Sequence, residues 1–138
     1  MSGPQAVDIT RYLHQLSSRT VNRGFVVFKE GQEGDGNMYF VIEGEVSIYI
    51  INKDTQLKVN TITPGRFFGE LALLKNIPRT ASAIVTSATA KIAPLDRAIF
   101  MQLAKSDPEF LFELLKIVLD RLIIAELNVK KLTNAQEG

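Results

Sequence analysis

The sequence predicts a mixed α/β (α+β) protein: a β-barrel or jelly roll flanked by helices. Three observations carry that expectation. From Ser18 to Thr63, apolar and polar residues alternate with period two in short runs separated by glycine- and asparagine-containing turns, the pattern of an antiparallel barrel or sandwich. A run of strong helix formers, Glu70-Leu71-Ala72-Leu73-Leu74, then interrupts the strands. Beyond Pro94 the apolar spacing becomes helical, and the last helical stretch is long.

The elements follow in order. Ile9, Tyr12, Leu13 and Leu16 give one narrow apolar face to a short N-terminal helix, with Asp8 as N-cap. Phe25–Phe28 is a short strand, and Lys29 to Asn37 a glycine-rich turn in which Gly31 and Gly34 take positive φ or let strands cross closely. Met38–Ile42 is the next strand. Val46, Ile48 and Ile50 alternate with Ser47 and Tyr49, Asn52-Lys53-Asp54 turns the chain, and Leu57, Val59 and Thr61 alternate again. Pro64-Gly65 marks a turn before the inserted helix, which Pro78 stops. Ser82–Val85 and Thr89–Ala93 are closing strands. Pro94-Leu95-Asp96 begins a helix with Asp96 as cap, running Arg97 to Lys105 and carrying Ile99, Phe100 and Leu103 inward. Asp107 caps the final helix, Pro108 takes its first position, and it runs from about Glu109 to Lys131.

Composition narrows the chemistry. The chain has 138 residues, 46% hydrophobic and 22% charged, enough for one domain with a real core. Net charge is +1, without a basic block for nucleic acid. With no cysteine and a single histidine, His14, the usual parts of a hydrolase or a metal site are missing, so the expectation is a binding module, not an enzyme, with no cofactor or metal. The N-terminus has no signal-peptide pattern, and no window approaches the roughly 18 apolar residues of a membrane span. A cytoplasmic protein is expected, and a fragment of a longer chain fits the composition equally well.

The inserted helix is where chemistry concentrates. The first N–H groups of a helix lack intrahelical acceptors, and with the helix dipole they favour an anion. Arg79 returns a permanent positive charge, on a fork that matches phosphate, to the same neighbourhood. Buried among apolar strands, that charge would need a counter-charge: a ligand phosphate, or Glu70 or a nearby aspartate when the site is empty.

Phe68-Gly69-Glu70-Leu71-Ala72-Leu73, followed by Pro78-Arg79-Thr80-Ala81, resembles the phosphate-binding cassette of cyclic nucleotide-binding domains. The nine positions from Glu70 to Arg79 fit the cassette of the kinase regulatory subunits. Cyclic nucleotide-gated channels and bacterial catabolite activators are similar too. Glu30-Gly31-Gln32, Tyr39–Ile42 and Gly44-Glu45-Val46 extend the resemblance over most of the chain. One departure is a turn between Gly31 and Tyr39 that is one residue longer than usual. In the family fold that loop is expected far from the cassette, so only a surface difference is anticipated.

The resemblance implies a single cyclic nucleotide-binding domain over residues 1–138, with an inserted phosphate-binding helix; the activators continue into a helix-turn-helix domain for which 138 residues leave no room, and with no basic recognition helix or patch no direct DNA binding is expected. It implies ligand contacts from Phe68, Gly69, Glu70, Leu71, Ala72, Arg79, Thr80 and Ala81. Arg79 would take the exocyclic phosphate oxygens, the N–H groups of residues 69–72 and Thr80 would complete the cradle, and Glu70 would accept from the ribose 2′-OH. Activators place two hydroxyl residues of the last helix against adenine. Ala125 and Glu126 hold those places here, leaving Glu126 to accept from a base amino group. The reading leans to cAMP, with cGMP open through Thr80. A ligand-free interaction module of the same fold is the alternative.

The last helix carries two apolar sets. Leu111, Leu115, Val118, Leu122, Ala125, Val129 and Leu132 recur by fours and threes, a coiled-coil seam. Phe110, Leu114, Ile117, Ile124 and Leu127 lie off it. A helix apolar on two faces must bury both. The expectation is that one face covers barrel and base, and that the seam forms a homodimer through Leu111, Leu115, Val118 and Leu122; a monomer with a single broad face packed on the barrel is the alternative. The effector protein is not named by any residue.

Overall fold

The computed structural model describes residues 16–137, with side chains through Thr133. The N-terminal helix expected from Asp8, Ile9, Tyr12 and Leu13, with His14 in it, lies outside the described residues. Those described fall into two compact units, one ending at Gln102 and the other beginning at Leu103.

The first unit is a jelly-roll-like pair of antiparallel four-stranded sheets. Its strands are β1 (Arg19–Asn22), β2 (Val26–Phe28), β3 (Asn37–Glu43), β4 (Val46–Asn52), β5 (Thr55–Ile62), β6 (Phe67–Phe68), β7 (Ser82–Val85) and β8 (Thr89–Asp96). One sheet has the order β1-β8-β3-β6 and the other β2-β7-β4-β5. The period-two alternation does what it should: Val41, Val46, Val85, Ala83 and Ile92 are buried in one core. Each full burial of a valine or isoleucine contributes about 1.5–3 kcal/mol. Between β4 and β5 the chain reverses through Lys53 and Asp54, both at positive φ, as a type I′ hairpin turn requires.

One expectation needs correcting here. Pro94-Leu95-Asp96 does not open a helix but completes β8, with Pro94 opposite Tyr39 and Leu95 fully buried. A proline without an N–H fits because β1 pairs only with Thr89–Ile92, so β8 has a strand on one side alone from Ala93 onward. β1 itself had no separate signal beyond the general alternation.

The inserted helix, α1 (Glu70–Leu74), follows β6 directly, and α2 spans Arg97–Ser106. Asp96 caps α2 as expected, its Oδ1 accepting the Ile99 N–H at 2.9 Å. The pairing of β6 with β3 sets the site: Tyr39 lies opposite Phe68 and Phe40 opposite Phe67. The entrance to β3 is thereby brought to the entrance of α1.

The second unit holds the end of α2 and all of α3 (Pro108–Glu137), which is longer than the apolar spacing alone suggested. Asp107 Oδ1 accepts the Glu109 N–H at 3.1 Å, the expected cap. Phe110, Leu114 and Ile117 are buried. Leu111, Leu115, Leu122, Val129 and Leu132 are exposed, as are Ile124 and Leu127. No helix among the described residues is long and apolar enough to cross a membrane.

Candidate functional site

Arg79 lies in the loop between α1 and β7, yet its side chain is only 3% exposed. Burying a guanidinium is costly unless it is paired and hydrogen-bonded. Here Nη2 donates to Asp35 Oδ1 at 2.6 Å and to the Asn37 carbonyl at 3.0 Å, while Nη1 donates to the Gly69 carbonyl at 3.2 Å. The guanidinium carbon sits 4.0 Å from the centre of the Phe28 ring and 5.9 Å from that of Tyr39. Phe28, Tyr39 and Phe68 pack on one another, Tyr39 stacking on Phe68 at 5.4 Å. A cation over aromatic faces gains from their quadrupoles, and more where water is excluded.

Asp35 is the charge that balances the site. Its Oδ1 also accepts the Asn37 N–H, and its Oδ2 accepts the Tyr39 hydroxyl, each at 3.0 Å. Burial raises the Asp35 carboxyl, but the Asn37 N–H, the Tyr39 hydroxyl and the Arg79 charge together outweigh it, so the group sits below its ordinary value. The Tyr39 hydroxyl moves the other way. Burial first, then its bond to Asp35 and the Asp35 charge, push it up to about 12.

The loop before β3 is therefore part of the site, which corrects the expectation that it lies far from the cassette. Gly31 N–H donates to the Arg79 carbonyl at 2.7 Å, and Arg79 N–H donates to the Gln32 carbonyl at 2.8 Å. Gly31 takes positive φ, and Gly34 permits close approach: an added Cβ would lie 3.1 Å from the Ile77 carbonyl and 3.3 Å from Ala72 Cβ. The cause is the β3–β6 pairing, which anchors both ends of the site on neighbouring strands. The buried charge of Arg79 called for Glu70 or a nearby aspartate. Nothing in the sequence singles out Asp35 among the carboxylates, and Phe28 and Tyr39 carried only strand signals, Tyr39 also within the resemblance.

The other expected residues fall as follows. Phe68 is buried at the end of β6. Gly69 caps α1 in the left-handed region at φ 76, and a Cβ there would lie 2.8 Å from Arg79 Nη1. Only glycine meets both demands without strain. Glu70 opens α1 half-buried, Ala72 and Ala81 are half-buried, and Leu71 and Thr80 are exposed. The hydrogen bond from Nη1 to Gly69 thus sets a permanent cation beside the N-terminus of α1. At the other end, Arg97 Nη2 donates to the Leu73 carbonyl at 3.3 Å, supplying a cation to a helix whose own last turn has none. Glu126 belongs to the second unit, where it is exposed on α3. Among the described residues no group of three or more His, Cys, Asp or Glu side chains is arranged to hold a metal.

Comparison with known proteins gives a consistent set. Residues 18–107 match the sequence model of the cyclic nucleotide-binding domain. A cAMP-dependent protein kinase type II regulatory subunit from Drosophila melanogaster is 38% identical over 88 residues, 64% of this chain and 23% of the relative. A cyclic nucleotide-gated potassium channel of Mesorhizobium japonicum is 34% identical over 113 residues, 82% of this chain and 30% of the relative. The chain thus spans under a third of the length of these relatives. Among solved structures, the Thermus thermophilus catabolite activator protein superposes with a TM-score of 0.81 at 25% identity, covering 91% of this chain and 58% of the activator. The regulatory domain of Toxoplasma gondii PKA crystallised with cAMP gives a TM-score of 0.59 at 29% identity, over 71% of this chain and 38% of that one.

Proposed function

The chain belongs to the cyclic nucleotide-binding domain family, and from that premise we propose that it is a regulatory sensor module that binds a 3′,5′-cyclic nucleotide, cAMP in the first instance. The observation that carries the proposal is a buried guanidinium, held against the cap of α1 by a carboxylate that itself reaches solvent: Asp35 is 45% exposed and Arg79 is not. An anionic ligand at the opening of α1 would meet that guanidinium and the helix N–H groups together.

In this reading Arg79 takes the exocyclic phosphate oxygens. The N–H groups of Gly69, Glu70, Leu71 and Ala72 cradle them with Thr80, Phe68 and Ala81 flank the cradle, and Glu70 accepts from the ribose 2′-OH. No bond is made or broken, so the output is conformational. Arg97, the first residue of α2, holds the last turn of α1, so a shift of α1 on filling reaches the C-terminal helices. The exposed seam on α3 supports self-association with a second copy. The downstream effector is a protein this chain does not specify.

A ligand-free interaction module is supported by one observation: Arg79 finds its counter-charge and its acceptors within the chain itself, donating to Asp35, Asn37 and Gly69. A thermal melting series with cAMP, cGMP and 5′-AMP separates the two. Stabilisation by a cyclic nucleotide but not by 5′-AMP is expected, and flat curves with both cyclic nucleotides would overturn the sensor reading.

A further inference from the structure

We infer that Asp35 and Gly36 form a site of spontaneous backbone rearrangement, in which the Asp35 side chain closes onto the Gly36 nitrogen and reopens as isoaspartate, and that the ion pair with Arg79 sets the rate. This stands apart from the nucleotide reading. It concerns the chemistry of the carboxyl that balances Arg79, whatever ligand the protein takes.

The sequence makes the site unique. Of the nine glycines, Gly36 alone is preceded by an aspartate or asparagine. A residue without Cβ leaves its nitrogen open to attack and its peptide free to turn. The structure then sets the approach. Asp35 Oδ1 accepts the Asn37 N–H at 3.0 Å, an Asx turn that curls the carboxyl back over the Gly36 peptide. Gly36 has φ 78, and a Cβ added there would meet nothing within 4 Å, so no neighbouring atom crowds the closing ring. The Asp35 side chain is 45% exposed, which lets water reach the ring once it has formed.

The reaction balances with water alone. The Gly36 nitrogen attacks Cγ of the protonated Asp35 carboxyl, a C–N bond forms, and the Cγ–O bond breaks as the hydroxyl leaves with the amide proton as water. Water then opens the succinimide. Attack at Cγ restores aspartate, and attack at the main-chain carbonyl gives isoaspartate, with the main chain running through Cβ and Cγ. An ionised carboxylate offers no such leaving group, and three contacts favour that form: the Asn37 N–H, the Tyr39 hydroxyl, and Arg79 Nη2 at 2.6 Å. Arg79 also pins Oδ1, so Cγ can swing onto the nitrogen only when that bond opens. The ion pair therefore guards the peptide bond beside it. Once rearranged, the main chain is one methylene longer just before β3, and the carboxylate leaves its turn. Arg79, 3% exposed, then keeps only the neutral carbonyls of Asn37 and Gly69.

The experiment incubates the full chain, folded and in urea, in water enriched in heavy oxygen. Each ring opening leaves one heavy oxygen in a carboxyl, and mass spectrometry with electron-transfer fragmentation separates isoaspartate from aspartate in the peptide carrying position 35. In the folded protein, label and isoaspartate should concentrate at Asp35 over the other aspartates, and accumulate more slowly than in urea. Arg79→Ala and Tyr39→Phe should each raise the folded rate severalfold, and Gly36→Ala should suppress it. Arg79→Lys keeps the charge and should stay nearer the wild type than Arg79→Ala, whereas mere loosening of the loop would speed both alike. Gly36→Ala strains a positive φ, so its melting is recorded beside it, and the wild-type comparison is decisive without it. A folded wild type that gains no label at Asp35 while the urea-unfolded chain does overturns the site. Equal rates in folded wild type, Arg79→Ala and Tyr39→Phe overturn the part given to the ion pair.

Discussion

Replacing Asp35 with asparagine keeps the size and the acceptor but removes the charge opposite Arg79. The closest atoms are 2.6 Å apart, and Arg79 is buried while Asp35 is 45% exposed. Two unit charges about 4 Å apart attract by roughly 1 kcal/mol in water and roughly 4 kcal/mol at the effective dielectric of a protein surface. The exposure of Asp35 places the pair in the lower part of that range, so a loss of about 2 kcal/mol is expected. For a domain of this size that lowers the melting temperature by about 4–8 °C. A nucleotide phosphate supplies the missing charge, so the saturated variant should melt close to the saturated wild type. The nucleotide-induced shift must therefore be larger in Asp35→Asn than in the wild type. Scanning fluorimetry with and without saturating cAMP measures both quantities. An empty variant that melts like the wild type, or a smaller nucleotide shift, would refute the view that Asp35 and the phosphate compensate the same buried charge.

The remaining expectations concern the same cluster. Arg79→Ala should weaken cyclic nucleotide binding by about 2–5 kcal/mol, and Arg79→Lys should recover only part of it, since both the fork and the stacking on Phe28 are lost; wild-type affinity for Arg79→Ala would exclude Arg79 from the site. Glu70→Ala should weaken cAMP but barely change 2′-deoxy-cAMP, and equal losses would mean that Glu70 supports the fold and not the ribose. The Asp35 carboxyl lies below its ordinary value, so its contribution is present above about pH 4 and lost as pH falls through the lowered value; the acid limb of a stability profile should flatten in Asp35→Asn. The Tyr39 hydroxyl is raised to about 12, so its contribution is present below about pH 10 and lost as pH rises through 12; Tyr39→Phe should remove that alkaline limb, and an unchanged limb would place the titrating group elsewhere.

The fold was largely legible because its signals are local. Alternation marked the strands, Asp96 and Asp107 marked two helix starts, and the glycine and proline turns fell where the chain reverses. Pro94 misled because a proline reads as a break, and only the pairing pattern reveals that β8 has an open side there. The cassette was legible as a contiguous run, whereas its counter-charge was not. Asp35 lies 44 residues from Arg79 and is brought there by the register of β3 on β6, which no local pattern encodes. The burial of Arg79 demanded a carboxylate; geometry alone named it. The length of the loop carrying Asp35 looked like a surface variation for the same reason.

The paired backbone bonds between Arg79 and the loop at Gly31 and Gln32 have a kinetic consequence. Both halves of the site come from segments more than forty residues apart, so closing the site requires the slow, non-local steps that set the rate for β-rich topologies. A nascent or partly folded chain has no site until β3 and β6 have met. If these contacts form after the rate-limiting step, a nucleotide that grips them leaves the refolding rate alone and acts by slowing the escape from the native state. Occupancy would then be written into the lifetime of the folded chain.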